Sequence, residues 1–157
     1  MPVTDIDSDP WGSDIEEERP GRELDNSRLL TALVMWFHPR QEQLGVEVFM
    51  CQDIQVSAAR RCTVDLCVTV GMPDEQVFTA PPVLCIQILS RFEPIATTLR
   101  RIADYLSFGV PYVWLIDPTR RTAIVYTATG FILPEDGILR TQNPDIALPL
   151  AELFELF

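Results

Sequence analysis

Apolar and polar positions are most regularly spaced between Val83 and Asp117. Val83 to Leu89 is apolar except for Gln87, and Tyr112 to Ile116 is apolar again. Between them Ile95, Leu99, Ile102 and Leu106 recur at intervals of four, three and four residues. That spacing predicts a helix over Ile95 to Phe108 with those four side chains on its buried face. Pro94 suits the first helical position, where its missing N–H is not needed. Gly109 suits a left-handed terminator, and Pro111 prevents continuation. The prediction is a strand, a helix and a second strand, the two strands parallel, joined by a right-handed crossover and covered on both faces.

The flanking segments extend this unit. Thr63 to Val70 alternates, which predicts a strand with Val64, Leu66, Val68 and Val70 on one face and Thr63, Asp65, Cys67 and Thr69 on the other. Gly45 to Cys51 also alternates, and residues 53–61 read as a shorter strand or its turn. Asp25 or Asn26 is a suitable cap for a helix from Ser27 to Phe37, stopped by Pro39 and followed by a polar connection, Gln41 to Gln43. Gly71 to Pro82 reads as loop. Thr122–Thr127 and Phe131–Leu133 read as a hairpin across Thr129-Gly130, residues 134–147 as loop, and Leu148 to Phe157 as a helical turn covering the sheet. The expected fold class is α/β. The strands of Asp65, Gln87 and Trp114 lie at the centre of a mixed sheet with a helix on each face.

Charge changes the picture at the N-terminus. The chain has 157 residues and a net charge of −11. Residues 1–25 hold nine acids against Arg19 and Arg22, which is −7 of that total and leaves −4 for residues 26–157. Residues 1–25 are therefore read as an acidic, disordered tail in which Trp11 is the one large docking residue, and residues 26–157 as one domain. No basic stripe marks a tight DNA binder. No apolar run reaches the ~18 residues of a membrane span, and no signal peptide is evident, so a cytoplasmic protein is expected.

Candidate chemistry is sparse. All twelve basic residues are arginine, which excludes any mechanism that needs a lysine ammonium. Cys51, Cys62, Cys67 and Cys85 form no C-x-x-C pair and read as small buried thiols. His38 stands alone, so no histidine metal cluster can form. Asp65 and Gln87 are polar residues in the middle of apolar strands. If those strands are neighbours, both side chains can enter one cleft. A buried carboxylate is costly unless it is paired, hydrogen-bonded or metal-bound, which makes Asp65 the leading site candidate.

Several ordered blocks carry a family resemblance: Val64-Asp65-Leu66-Cys67-Val68, Ile88-Leu89-Ser90, Tyr105, Gly109-Val110-Pro111, Trp114-Leu115-Ile116-Asp117-Pro118, and Ile146 to Phe154. Over roughly residues 26–157 the chain resembles the Uma-type restriction-endonuclease family, which has the PD-(D/E)XK nuclease fold. The resemblance implies a restriction-endonuclease-like mixed sheet, a DNA substrate, and a strand Asp with a strand Glu holding Mg²⁺ or Mn²⁺. That metal activates water, and a lysine assists at the scissile phosphate.

This chain departs from the pattern at those positions. Asp65 matches the Asp, but Gln87 stands where the Glu belongs and Arg101 where the helix lysine belongs. Asn26-Ser27-Arg28 occupies the place of the first-helix Glu-His. A Gln carbonyl brings no charge to a hard cation, so metal binding is expected to be weak. Arg101 can clamp a phosphate but cannot exchange a proton at ordinary pH. Glu47 and Glu93 are the substitute carboxylates to consider. The expectation is a nuclease-family domain with catalytic positions Asp65, Gln87 and Arg101 and a degraded site, in effect a pseudoenzyme. The alternatives are an active endonuclease with a migrated carboxylate, and a non-catalytic interaction module on the same fold. DNA is a partner by resemblance despite the unfavourable charge. A homodimer remains open.

Overall fold

The computed structural model describes residues 23–157. The expectations for the acidic tail, including a role for Trp11, lie outside the described residues except at the boundary. Helix α1 spans Leu24–Phe37, a turn earlier than expected. Glu23 is its N-cap residue, and neither Asp25 nor Asn26 caps it. Leu29, Leu30, Leu33, Trp36 and Phe37 are buried along one stripe, each contributing about 1.5–3 kcal/mol of apolar burial. Pro39 sits in a 3-10 turn, His38–Arg40, and the expected polar connection is the one-turn helix α2, Gln41–Leu44.

The sheet contains β1 (Glu47–Ser57), β2 (Arg60–Thr69), β3 (Leu84–Ile88), β4 (Tyr112–Asp117), β5 (Thr122–Thr127) and β6 (Gly130–Ile132) in that spatial order. All neighbours are antiparallel except β3 and β4, which are parallel and joined through helix α3 (Ile95–Phe108). The strand-helix-strand unit therefore stands as the spacing predicts, and the strands of Asp65, Gln87 and Trp114 are adjacent. Residues 53–57 continue β1 rather than forming a separate strand. Residues 134–147, expected as loop, contain β7 (Ile138–Thr141) and part of β8 (Ile146–Pro149), a small separate hairpin leading into α4 (Leu150–Glu155).

Two apolar clusters sandwich the sheet. One joins α1 and Leu153 of α4 to Leu66, Val68, Leu84, Ile86, Ile88, Trp114 and Ile116. The other joins Ile102 and Tyr105 of α3 to Cys67, Cys85, Val113 and Leu115. The buried face of α3 is rotated from the predicted one. Thr98, Ile102 and Tyr105 are buried, while Ile95 and Leu99 are exposed. Tyr105 is large enough to anchor the helix, and packing on it turns the 95/99 edge toward solvent. Gly109 ends α3 at φ +113, a conformation that needs glycine.

Candidate functional site

The candidate site forms where β2 and β3 part. Their ladder runs Val68↔Leu84, Cys67↔Cys85, Leu66↔Ile86 and then stops. One further step would set Asp65 opposite Gln87. Instead the Ile88 N–H donates to Asp65 Oδ2 at 2.8 Å. A side-chain oxygen replaces the missing ladder carbonyl, and the donor stays satisfied. On its other edge β3 keeps pairing with β4 as far as Ile88↔Ile116.

The expected alternation also breaks here. Leu66 and Val68 join the α1-side cluster, but Val64 and Cys62 join Cys67 on the α3 side. β1 does the same, since Phe49, Ile54 and Val56 all pack on the α3 side. Cys51, between the pairs Met50↔Leu66 and Gln52↔Val64, has a left-handed φ of 52. A non-glycine residue in that region is uncommon and turns the strand locally. The β1–β2 hairpin thus swaps faces at the level of Asp65.

Gln87 lies at the centre of the sheet, 3% exposed and paired with Leu115. Its Oε1 has no hydrogen-bond partner among the described residues, and neither has the fully buried Tyr105 hydroxyl. Buried polar atoms left this way cost about 1–3 kcal/mol each. Burial raises the Tyr105 hydroxyl well above the usual tyrosine range; Cys85, Cys62 and Asp65 add to the rise and Arg101 opposes it.

Arg101 is directed back along α3. Its Nη2 lies 2.6 Å from Glu93 Oε1, and the buried Thr98 hydroxyl donates to the same oxygen at 3.3 Å. Side chains on a helix lean toward its N-terminus, so Arg101 is well placed to reach an acid just before the first turn. The positive end of the helix dipole favours the carboxylate there. Glu47 is placed elsewhere: it pairs with Thr69, four residues along β2 from Asp65 or about 13 Å, and accepts from Gln41 Nε2 at 3.2 Å.

The sequence reading gave no role to Glu23, Thr98 or Tyr105. Glu23 accepts a hydrogen bond from the Ser90 hydroxyl, three residues past Gln87, and Ser90 Oγ in turn accepts from the Phe92 N–H at 3.2 Å. The chain thus brings an acid from the start of α1 to the loop after β3, although residues 26–28 carry none. Starting α1 one turn earlier would have found it.

Each residue expected to hold a metal is engaged by a protein partner or carries no charge. Asp65 already accepts the Ile88 N–H through Oδ2, Gln87 is neutral, and Glu93 is neutralised by Arg101. Among the described residues no three of His, Cys, Asp and Glu stand close enough together to hold a metal ion. Among those residues no helix is long and apolar enough to cross a membrane.

Comparison with known proteins bears on the family and the fold. The family model Uma2, "Putative restriction endonuclease", matches residues 14–154 and so begins inside the acidic segment. No curated protein matches the chain. Among solved structures, a crystal structure described as a "putative nuclease belonging to DUF820" from Anabaena variabilis superposes with a TM-score of 0.74. It has 18% identity and covers 87% of this chain and 84% of that one. At that identity the likeness is one of fold. The family match spans most of the chain, which therefore belongs to the Uma2 restriction-endonuclease family.

Proposed function

We propose that this chain is a nuclease-family domain whose active site has lost its catalytic metal chemistry. The observation that carries this reading is the Arg101–Glu93 ion pair at 2.6 Å. It ties up the residue at the family's lysine position and also a substitute carboxylate. With Gln87 neutral, Asp65 is left as the carboxylate of the β2–β3 junction. Mg²⁺ is ordinarily held by carboxylates together with substrate phosphate, and one carboxylate makes a weak site. Nucleic acid remains the ligand class the family implies. The domain's role is then binding or interaction on the nuclease scaffold, in the cytoplasm. Calorimetric titration of Mg²⁺ and Mn²⁺ into the full chain tests this. Little or no heat is expected for the wild type, with a gain on Gln87→Glu. Submillimolar binding by the wild type, abolished by Asp65→Ala, would overturn the reading.

One observation favours an active enzyme instead. Gln87 Oε1 is buried and has no hydrogen-bond partner among the described residues, so an oxygen able to ligate a metal is available. In that reading Glu93 leaves Arg101 and joins Asp65 and Gln87 when metal and DNA bind. Loss of wild-type cleavage on Glu93→Ala, with cleavage retained on Glu47→Ala, would identify that arrangement.

A further inference from the structure

The outer face of α3 has an unusual surface. Phe92 is 83% exposed, and Ile95 and Leu99 are exposed one turn apart on the same side of the helix. Arg91 and Arg100 are exposed in the same stretch and have no ion-pair partner among the described residues. Three of the chain's twelve arginines, Arg91, Arg100 and Arg101, thus fall within eleven residues of a protein whose net charge is −11. An apolar strip flanked by unpaired cations suits an acidic segment that carries large apolar side chains.

The chain contains such a segment, and it ends at this surface. Residues 1–22 include seven acids against Arg19 and Arg22, with Val3, Ile6, Trp11 and Ile15 among them. Glu23, the first described residue, is bonded to Ser90, whose Oγ accepts the N–H of Phe92. Leu24 beside it is also exposed. Trp11 is twelve residues before Glu23, a reach of up to about 40 Å, while the 14-residue α3 is about 21 Å long. Tethering also raises the local concentration of the segment to about millimolar, so weak contacts suffice.

We propose that residues 1–22 are the occupant of this face. The run Glu16-Glu17-Glu18 matches Arg91 and Arg100 in charge, and Trp11 and Ile15 match the apolar Phe92, Ile95 and Leu99. This goes beyond the degraded-site reading and holds whether or not the domain cleaves DNA.

Acrylamide quenching of tryptophan fluorescence in the full chain tests the proposal. Of the three tryptophans, Trp36 and Trp114 are buried, so quenching of the folded protein reports Trp11. A synthetic peptide of residues 1–22 gives the value for an uncovered Trp11. The expected result is a severalfold lower quenching constant in the full chain, restored toward the peptide value by Arg91→Glu with Arg100→Glu and by Phe92→Ser with Leu99→Ser. Circular dichroism confirms that these exposed substitutions leave the fold intact. Quenching equal to the peptide's in the wild type overturns the proposal. So does protection that both pairs of substitutions leave unchanged, because the segment then docks elsewhere. Protection that grows with protein concentration overturns it in favour of a second copy as occupant.

Discussion

Asp65 and Ile88 are joined by a 2.8 Å hydrogen bond from the backbone N–H to Oδ2 at the point where β2 and β3 separate. Asp65 is therefore a structural clamp at this junction. Asp65→Ala leaves the Ile88 donor without an acceptor and is expected to cost about 1–3 kcal/mol. Asp65→Asn keeps an oxygen there and should cost clearly less. Urea unfolding of the three proteins measures both differences. Equal stability of Asp65→Ala and wild type would show that water replaces the carboxylate without loss.

The Arg101–Glu93 pair is partly buried, with about a quarter of each side chain accessible, so its contribution is discounted for solvent screening. Glu93→Gln is expected to destabilise the domain by about 1 kcal/mol and to reduce its sensitivity to salt. A chemical-denaturation series at low and high ionic strength checks this. No change in either quantity would mean that the pair is not maintained in solution.

The buried thiols give the chain a defined alkaline limit. Burial pushes the Cys67 thiol up to about 12 from 9.0 and raises Cys62 and Cys85 as well. In the unfolded chain these thiols ionise near 9, while in the fold they remain protonated. The folded state therefore binds more protons between those values, and stability falls as pH rises from about 9 towards about 12. Thermal melts across that range should show the decline, with a shallower slope for Cys67→Ala. Thiol labelling of the native protein at pH 8 should modify the exposed Cys51 and spare the other three.

The strand-helix-strand unit was legible because its signals are local: Ile95 to Phe108 appears at its predicted limits, and so does Tyr112 to Asp117. Residues 134–147 were not legible, since a hairpin of two four-residue strands such as β7–β8 is set by partner pairing rather than by its own pattern. The face of α3 was misjudged because tertiary packing of Tyr105 and Thr98 overrides apolar spacing at Ile95 and Leu99. At the candidate site, the adjacency of the strands that carry Asp65 and Gln87 followed from the sequence. The face switch at Asp65 did not, because it depends on the left-handed Cys51 one strand away. The Arg101–Glu93 pair is eight residues apart in sequence, beyond the usual three- or four-residue helix pairs, and the acid lies before the helix begins.

Cleavage of supercoiled plasmid DNA with Mg²⁺ or Mn²⁺ tests the degraded-site proposal most directly. The wild type is expected to give no nicking above the metal-only background. Gln87→Glu with Arg101→Lys, which restores both residue types of the family pattern, should nick DNA more than either single change, with non-additive effects because such groups act on one transition state. Metal-dependent nicking by the wild type that disappears in Asp65→Ala would contradict the account.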